Sequence, residues 1–425
     1  MIKQLYIIPI ILIMTISFYS CEDFGVEPNE GNLTYKIIGN SPVSNEEGLF
    51  ITRLNDDYIL GGITNVASTK DYMLAKADKN GKVSLNFHAG FPLTDDALMQ
   101  VIVTDEASSE LFVLLNQESE QSFKLTPSLA KVTYATPDSN TTIDNSIFLE
   151  RDNLVNENDV IREVTVKALY LESSDQFLVL SNIIEKYNEK IRITLVDHSG
   201  NKTWSRIYSF DNGTATPPSL EGIGITQKST GNFTVMGNMT TENATTGDDD
   251  VKIFVLEIDD LGNEVNVKFP IQNEFLLDFT NITMDDYALI TTKIDGNDIF
   301  FKDLNTYKYN TTSFSLANGK TFSTNGNDNT LVGKSVQKIG QNIIITAIES
   351  EIELNTALIY KLDLDLDLVW KKEYYYSETS INRLDIGNAI ERIGGGYAVI
   401  GTHDLKSSTK IVLLLLDEDG NYIDN

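Results

Sequence analysis

Short apolar runs recur along this chain between polar stretches, and no long helical period accompanies them. Seven of the runs share one form: an aromatic or polar lead residue, three mostly apolar residues, then a small or turn-prone one. They read YILGG (58–62), FVLLN (112–116), FLVLS (177–181), FTVMG (233–237), YALIT (287–291), NIIIT (342–346) and YAVIG (397–401). Their starts lie 54, 65, 56, 54, 55 and 55 residues apart. Five of six intervals agree within two residues, which marks a duplicated unit.

Each copy is followed by a polar segment and a second apolar strand that ends near an Asp-led turn. The turns read DKNGK from Asp78, DHSGN from Asp197, DDLGN from Asp259 and DEDGN from Asp417. Glycine suits the positive φ of a tight hairpin, and aspartate can hydrogen-bond its own turn backbone. TPSLA from Thr126, DLNTY from Asp303 and DLDLD from Asp363 stand at the same place and depart from the pattern. A further strand follows, carrying Trp204 and Trp370 at equivalent positions, and one more precedes each lead residue. Four strands per unit of about 55 residues, seven times over, is the arithmetic of an all-β, seven-bladed β-propeller spanning residues 33–425. The last copy ends at Asn425, one strand short, while LTYKIIG (33–39) matches the missing strand type with Tyr35 in the Trp place. Residues 33–38 are therefore expected to pair into the blade formed by 386–422 and close the ring.

The segments ITNVASTKD, SNIIEKYNEK, NMTTENATTGDDD and THDLKSSTK read as long polar loops on the face opposite the Asp-led turns, joined there by an insertion near residues 135–159. Such loops on a rigid scaffold are where binding function collects. Asp248, Asp249 and Asp250, with Glu242 or Asn243, offer oxygen ligands, but their spacing matches no known calcium loop, so no metal site is assigned. His88, His198 and His403 fall in different repeats, and no GxSxG, HExxH or CxxC is present, so no catalytic residue and no cofactor is expected. The formal charge of −29, from 62 acidic and 33 basic residues, opposes nucleic-acid binding. Tyrosine (18) and phenylalanine (19) are plentiful enough for sugar-stacking platforms, although most are expected in the blade core.

The N-terminus carries Lys3, an apolar run from Leu5 to Ile16, and the chain's one cysteine, Cys21, where the run ends. This is the layout of an export signal over residues 1–20. Phe18, Tyr19, Ser20 and Cys21 resemble the loose lipobox of Bacteroidota lipoproteins, and Glu22 and Asp23 resemble the acidic tag of those sent to the cell surface. The repeats also resemble those of noncatalytic propeller lipoproteins of that phylum, which read roughly Gly-Tyr-x-Val-x-Gly and later Asp-x-x-Gly-x-x-x-Trp. The resemblance implies lipidation at Cys21, a tether over 21–32, and a surface-exposed place on the outer membrane. It further implies a binding or scaffolding module whose partner is an envelope protein or an extracellular glycan. A propeller-type glycan hydrolase or lyase is the alternative. Converging carboxylates with a Tyr or His in the central funnel would favour that enzyme.

Overall fold

A computed structural model describes the chain from Tyr35 to Ile423, without residues 39–44, 67–68, 90–93, 106–109, 120–124, 134–141, 149–159, 186–188, 211–216, 243–248, 294–300, 325–328, 352–354, 375–382 and 405–407. Cys21, the export signal and the tether lie outside the described residues. Seven antiparallel four-stranded sheets follow one another along the chain, with blades over 45–89, 94–148, 160–208, 219–272, 274–323, 330–374 and 383–416. The fold is the expected seven-bladed β-propeller.

Hydrophobic burial explains the ring. The second and third strands of each blade are apolar on both faces, as in NIIITAIES and NTALIYKL, so each sheet must be covered on both sides. Seven buried clusters result, each joining two adjacent blades: Leu180 of blade 3 packs with Leu220 and Phe254 of blade 4, and Ile51 of blade 1 with Ile400 and Leu413 of blade 7. The lead aromatics Tyr58, Phe112, Phe177, Phe233, Tyr287 and Tyr397 are all buried, which places them in the core.

The seventh blade completes itself from both chain ends. Tyr35–Ile38 pairs antiparallel with Thr409–Leu416, with Tyr35 opposite Leu414 and Ile38 opposite Ile411. Tyr422 bridges Leu416 beyond the last turn, so residues near the C-terminus start the outer strand and 35–38 continue it. The register corrects one expectation. Tyr35 matches Ser205, which faces Thr194 in blade 3, and sits one residue past the Trp place.

Three further expectations are corrected. The DLDLD stretch makes the same turn as its relatives: Asp363 N–H donates to Asp367 O at 3.0 Å, and Leu366 takes φ 65 where the others have glycine. Its side chain is buried in the cluster between blades 5 and 6, and that burial offsets a conformation usually left to glycine. TPSLA and DLNTY are strand, within Leu125–Thr133 and Asp303–Asn310, and in blade 5 the turn is led by Asn310, whose Oδ1 accepts from the N–H groups of Thr312 and Ser313. The polar segments expected to be long loops are largely ladder. Strands run on to Val66, Glu185, Glu242 and Asp404, because Thr, Ile and Val suit a paired strand whatever their polarity. Within the expected insertion, Thr142–Phe148 forms the outer strand of blade 2.

The Asp-led turns are gripped by the preceding blade. Trp204 Nε1 donates to Asp260 O at 3.0 Å and the Tyr208 hydroxyl to Gly262 O at 2.6 Å, both in the next turn. Trp370 and Tyr374 repeat this on Glu418 O and Gly420 O at 3.2 and 2.7 Å. A Cβ on Gly420 would combine φ +76 with a 2.8 Å approach to the Trp370 ring. We expect Gly420→Ala to cost about 2 kcal/mol in denaturant unfolding. A change under about 0.5 kcal/mol would refute the clamp.

Candidate functional site

The innermost strand of every blade carries a β-bulge at one shared position, between Gly48 and Phe50 in blade 1 and between Gly333 and Ser335 in blade 6, for example. A bulge re-aims the side chains on either side of it. Two sets of side chains then tie neighbouring inner strands together. Asn116, Asn182 and Asn238, within second strands, each accept from a backbone N–H and donate to a carbonyl of the next blade, at Thr165, Gly222 and Leu276. Gln100 and Asp278, just past the bulge, and Asn388, within it, each accept from one backbone N–H of the next blade, at Ala168, Val336 and Ile51. Burial pushes the Asp278 carboxyl above its ordinary pKa, against the pull of the Lys167 ammonium. These ties make the inner wall a rigid frame.

A cavity of about 470 Å³ opens at the junction of blades 6, 7 and 1. Its wall is built from Glu47, Gly48 and Leu49 of blade 1, Lys334, Ser335 and Asn355 of blade 6, and residues 385–388, Thr402, Asp404 and Thr409 of blade 7. By strand direction it lies towards the face opposite the Asp-led turns. Lys334 Nζ stands 3.5 Å from Asp385 Oδ1. Thr402 Oγ1 accepts from the Gly48 N–H at 2.9 Å, and Asn388 holds both polar groups of Ile51. Ser335 is 6% exposed, and its hydroxyl has no hydrogen-bond partner; the buried hydroxyl of Thr409 has none either. Behind the wall, Lys410 Nζ and Glu46 Oε2 form a buried ion pair at 3.2 Å across the blade 7–blade 1 junction.

Three carboxylates, one ammonium, amides and hydroxyls thus line one space, and among the described residues no aromatic ring, imidazole or thiol lines it. The enzyme reading asks for converging carboxylates with a Tyr or His in the central funnel; the described residues that line this cleft include three carboxylates and neither a Tyr nor a His. A wall of this composition is chemically suited to a polar ligand, through hydrogen bonds and charge.

The histidines stay apart. His88 is in the outer strand of blade 1, opposite Met73. His403 is fully buried in blade 7, where desolvation holds its imidazole below the ordinary pKa and therefore neutral at pH 7. His198 lies in the Asp197 turn, stacked on Phe112 at 5.0 Å, with Nδ1 3.0 Å from Asp175. The Tyr170 hydroxyl donates to the same carboxylate at 2.7 Å, which pushes its pKa up to about 12. That group sits on the turn face of blade 3, away from the cleft. Asp249 and Asp250 pair in a strand opposite Glu242 and Thr241, and Asp248 and Asn243 lie outside the described residues. Among the described residues no group of three or more acidic, His or Cys side chains is placed to hold a metal.

Sequence reasoning missed the cleft because it followed the second strands and the loops. A signal was present in the inner strands, where EEGLF, SLEGIG and RLDIGN each place an acid one or two residues before a glycine. Glu47, Glu221 and Asp385 are those acids.

Comparison with protein-family models and with curated proteins finds no match. Solved structures do match in fold. An ulvan lyase, described as a new family of polysaccharide lyase, superposes with a TM-score of 0.56 at 9% identity over 88% of this chain and 95% of its own. The C-terminal WD40 domain of Sif2 gives 0.47 at 9% identity over 91% and 99%, and a Bacteroides caccae protein of unknown function 0.39 at 11% over 78% and 94%. At these identities the likeness is one of fold, and the chain is a seven-bladed β-propeller.

Proposed function

We propose that the chain is a lipid-anchored binding module of the bacterial cell envelope, tethered through Cys21 at the outer membrane, with its ligand seated in the cleft between blades 6, 7 and 1. The cleft carries this reading: a preformed space of about 470 Å³, inside the roughly 300–1,000 Å³ range of ligand pockets, walled by polar groups on hydrogen-bonded strands. None of its described lining side chains is the imidazole that most often carries protons near neutral pH, which favours binding over catalysis. The N-terminal strand supports the orientation. It runs from the Asp-led turns at Tyr35 towards the cleft side at Ile38, so the tether reaches the propeller at the face remote from the cleft.

The test is cross-linked affinity purification of the tagged full chain from its native membrane, beside a variant with Glu47→Lys and Asp404→Lys. The expected result is a stoichiometric protein partner with the wild type that the variant loses. Recovery of the wild type alone, or a partner indifferent to the substitutions, would count against the cleft.

One observation favours a second reading. Glu47, Asp385 and Asp404 share the cleft, and paired carboxylates are the machinery of glycoside hydrolysis. Release of reducing ends from a polysaccharide by the wild type, lost in Glu47→Gln, would establish that chemistry instead.

A further inference from the structure

The inner hairpin of blade 4 turns through KSTGN, residues 228–232, between Ser219–Gln227 and Phe233–Glu242. Lysine stands here where the outer hairpins have aspartate, yet the backbone makes the same turn. Lys228 N–H donates to Asn232 O at 2.8 Å, Gly231 N–H donates to Lys228 O at 3.1 Å, and Gly231 takes φ 89. In the sister turns the first and fifth side chains touch: Asn201, Asn263 and Asn421 donate from Nδ2 to Oδ2 of Asp197, Asp259 and Asp417, at 2.8, 2.9 and 3.1 Å. Lys228 and Asn232 therefore leave backbone positions that set two side chains beside each other.

Both side chains meet one carboxylate. Glu257, in the third strand of the blade, accepts from Lys228 Nζ on Oε2 at 2.9 Å and from Asn232 Nδ2 on Oε1 at 2.8 Å. The lysine and glutamate side chains are only 5% and 15% exposed, a burial that lysine seldom reaches. An amine, a primary amide and a carboxylate bridging the two are the parts of an amide exchange: nucleophile, acyl donor and proton carrier. One carboxylate oxygen lies on the nitrogen that would attack, and the other lies on the nitrogen that would leave.

We propose that Lys228 and Asn232 are joined by an isopeptide bond, formed with Glu257 as the proton carrier. The ammonium passes a proton to Glu257, leaving a neutral amine and a carboxylic acid, a pair that a site shut off from water tolerates better than two charges. The Nζ lone pair then bonds to Asn232 Cγ, and the carbonyl π electrons move to Oδ1. Glu257 gives its proton to Nδ2 and takes a second one from Nζ. The carbonyl re-forms as the Cγ–Nδ2 bond breaks, and ammonia leaves, taking the proton from Glu257 as ammonium. The carboxylate is regenerated, nothing is oxidised or reduced, and no co-reactant is needed. The product fastens the inner and second strands of blade 4 together at their turn.

Tandem mass spectrometry of the full chain after tryptic digestion tests the bond. Expected is a peptide spanning 207–252, uncleaved after Lys228 and about 17 Da lighter than its sequence mass through loss of ammonia, with no backbone fragments resolved between 228 and 232. Glu257→Gln and Lys228→Arg should each restore cleavage after position 228 and the full mass. A wild-type peptide of full mass overturns the proposal, and that outcome does not depend on whether any variant folds. The same mass loss with cleavage after Lys228 retained would be a cyclic imide at Asn232, and would overturn it as well. A cross-link that survives Glu257→Gln would overturn the role given to the glutamate.

Discussion

Deletion of residues 24–39 lowers the melting temperature and drives the protein towards aggregation. The deletion removes Tyr35–Ile38 and its four pairings with Thr409–Leu416. At about 1 kcal/mol net per backbone hydrogen-bonded pairing, the loss is on the order of 4 kcal/mol. The stripped edge would be KIVLLLL, six consecutive apolar residues that are buried in the intact blade. A long apolar edge with open N–H and C=O groups is a template for intermolecular pairing. Thermal melts and size-exclusion chromatography of the truncated chain check this, and an unchanged melt with a monomeric peak would refute the latch.

The second large effect is at the same junction, one layer further in. Lys410→Met should destabilise the fold by about 3–5 kcal/mol, because it removes the ammonium paired with the Glu46 carboxylate in a site where that side chain is 0% exposed. Adding Glu46→Leu to that variant should recover most of the loss, since two apolar side chains remove the charge and its solvation demand together. Lys320→Met is the control. Its partner Asp367 is closer, 2.9 Å, but the two side chains are 48% and 68% exposed to water, so the change should stay within about 1 kcal/mol. Denaturant unfolding of the three variants distinguishes these outcomes. A loss near the control's value for Lys410→Met would mean that Glu46 is satisfied by its other neighbours.

Much of the architecture was legible because blades repeat. The lead residues Tyr58 to Tyr397, aromatic in six of the seven copies, mark the second strands at five intervals of 54–56 residues and one of 65, and a missing strand at one end with a spare at the other predicts the closure. Register was less legible. Tyr35 and Trp204 look equivalent as aromatics in a strand, but pairing depends on backbone position relative to the Asp417 turn, and Tyr35 falls one residue away. The Asp363 turn was hidden for another reason: Leu366 holds a left-handed conformation through burial, which no local residue preference reveals. The Trp-to-turn spacing was visible along the chain, but Trp204 grips the turn of the following repeat, a contact that exists only once blades pack side by side. The cleft was the least legible feature. Glu47, Lys334, Ser335 and Asp385 come from three blades and meet only when the ring is closed, so no spacing along the chain links them.

The composite outer strand of the seventh blade also has a mechanical meaning. In a chain held at its N-terminal end while a partner pulls on the cleft side, tension arrives at Tyr35 along the axis of the strand. The load then falls on all four pairings with residues 411–414 at once, as shear, and they must yield together. Force applied across the strand would open them one by one. The way the propeller is fastened shut is therefore also suited to resisting a pull on the N-terminal side of Tyr35.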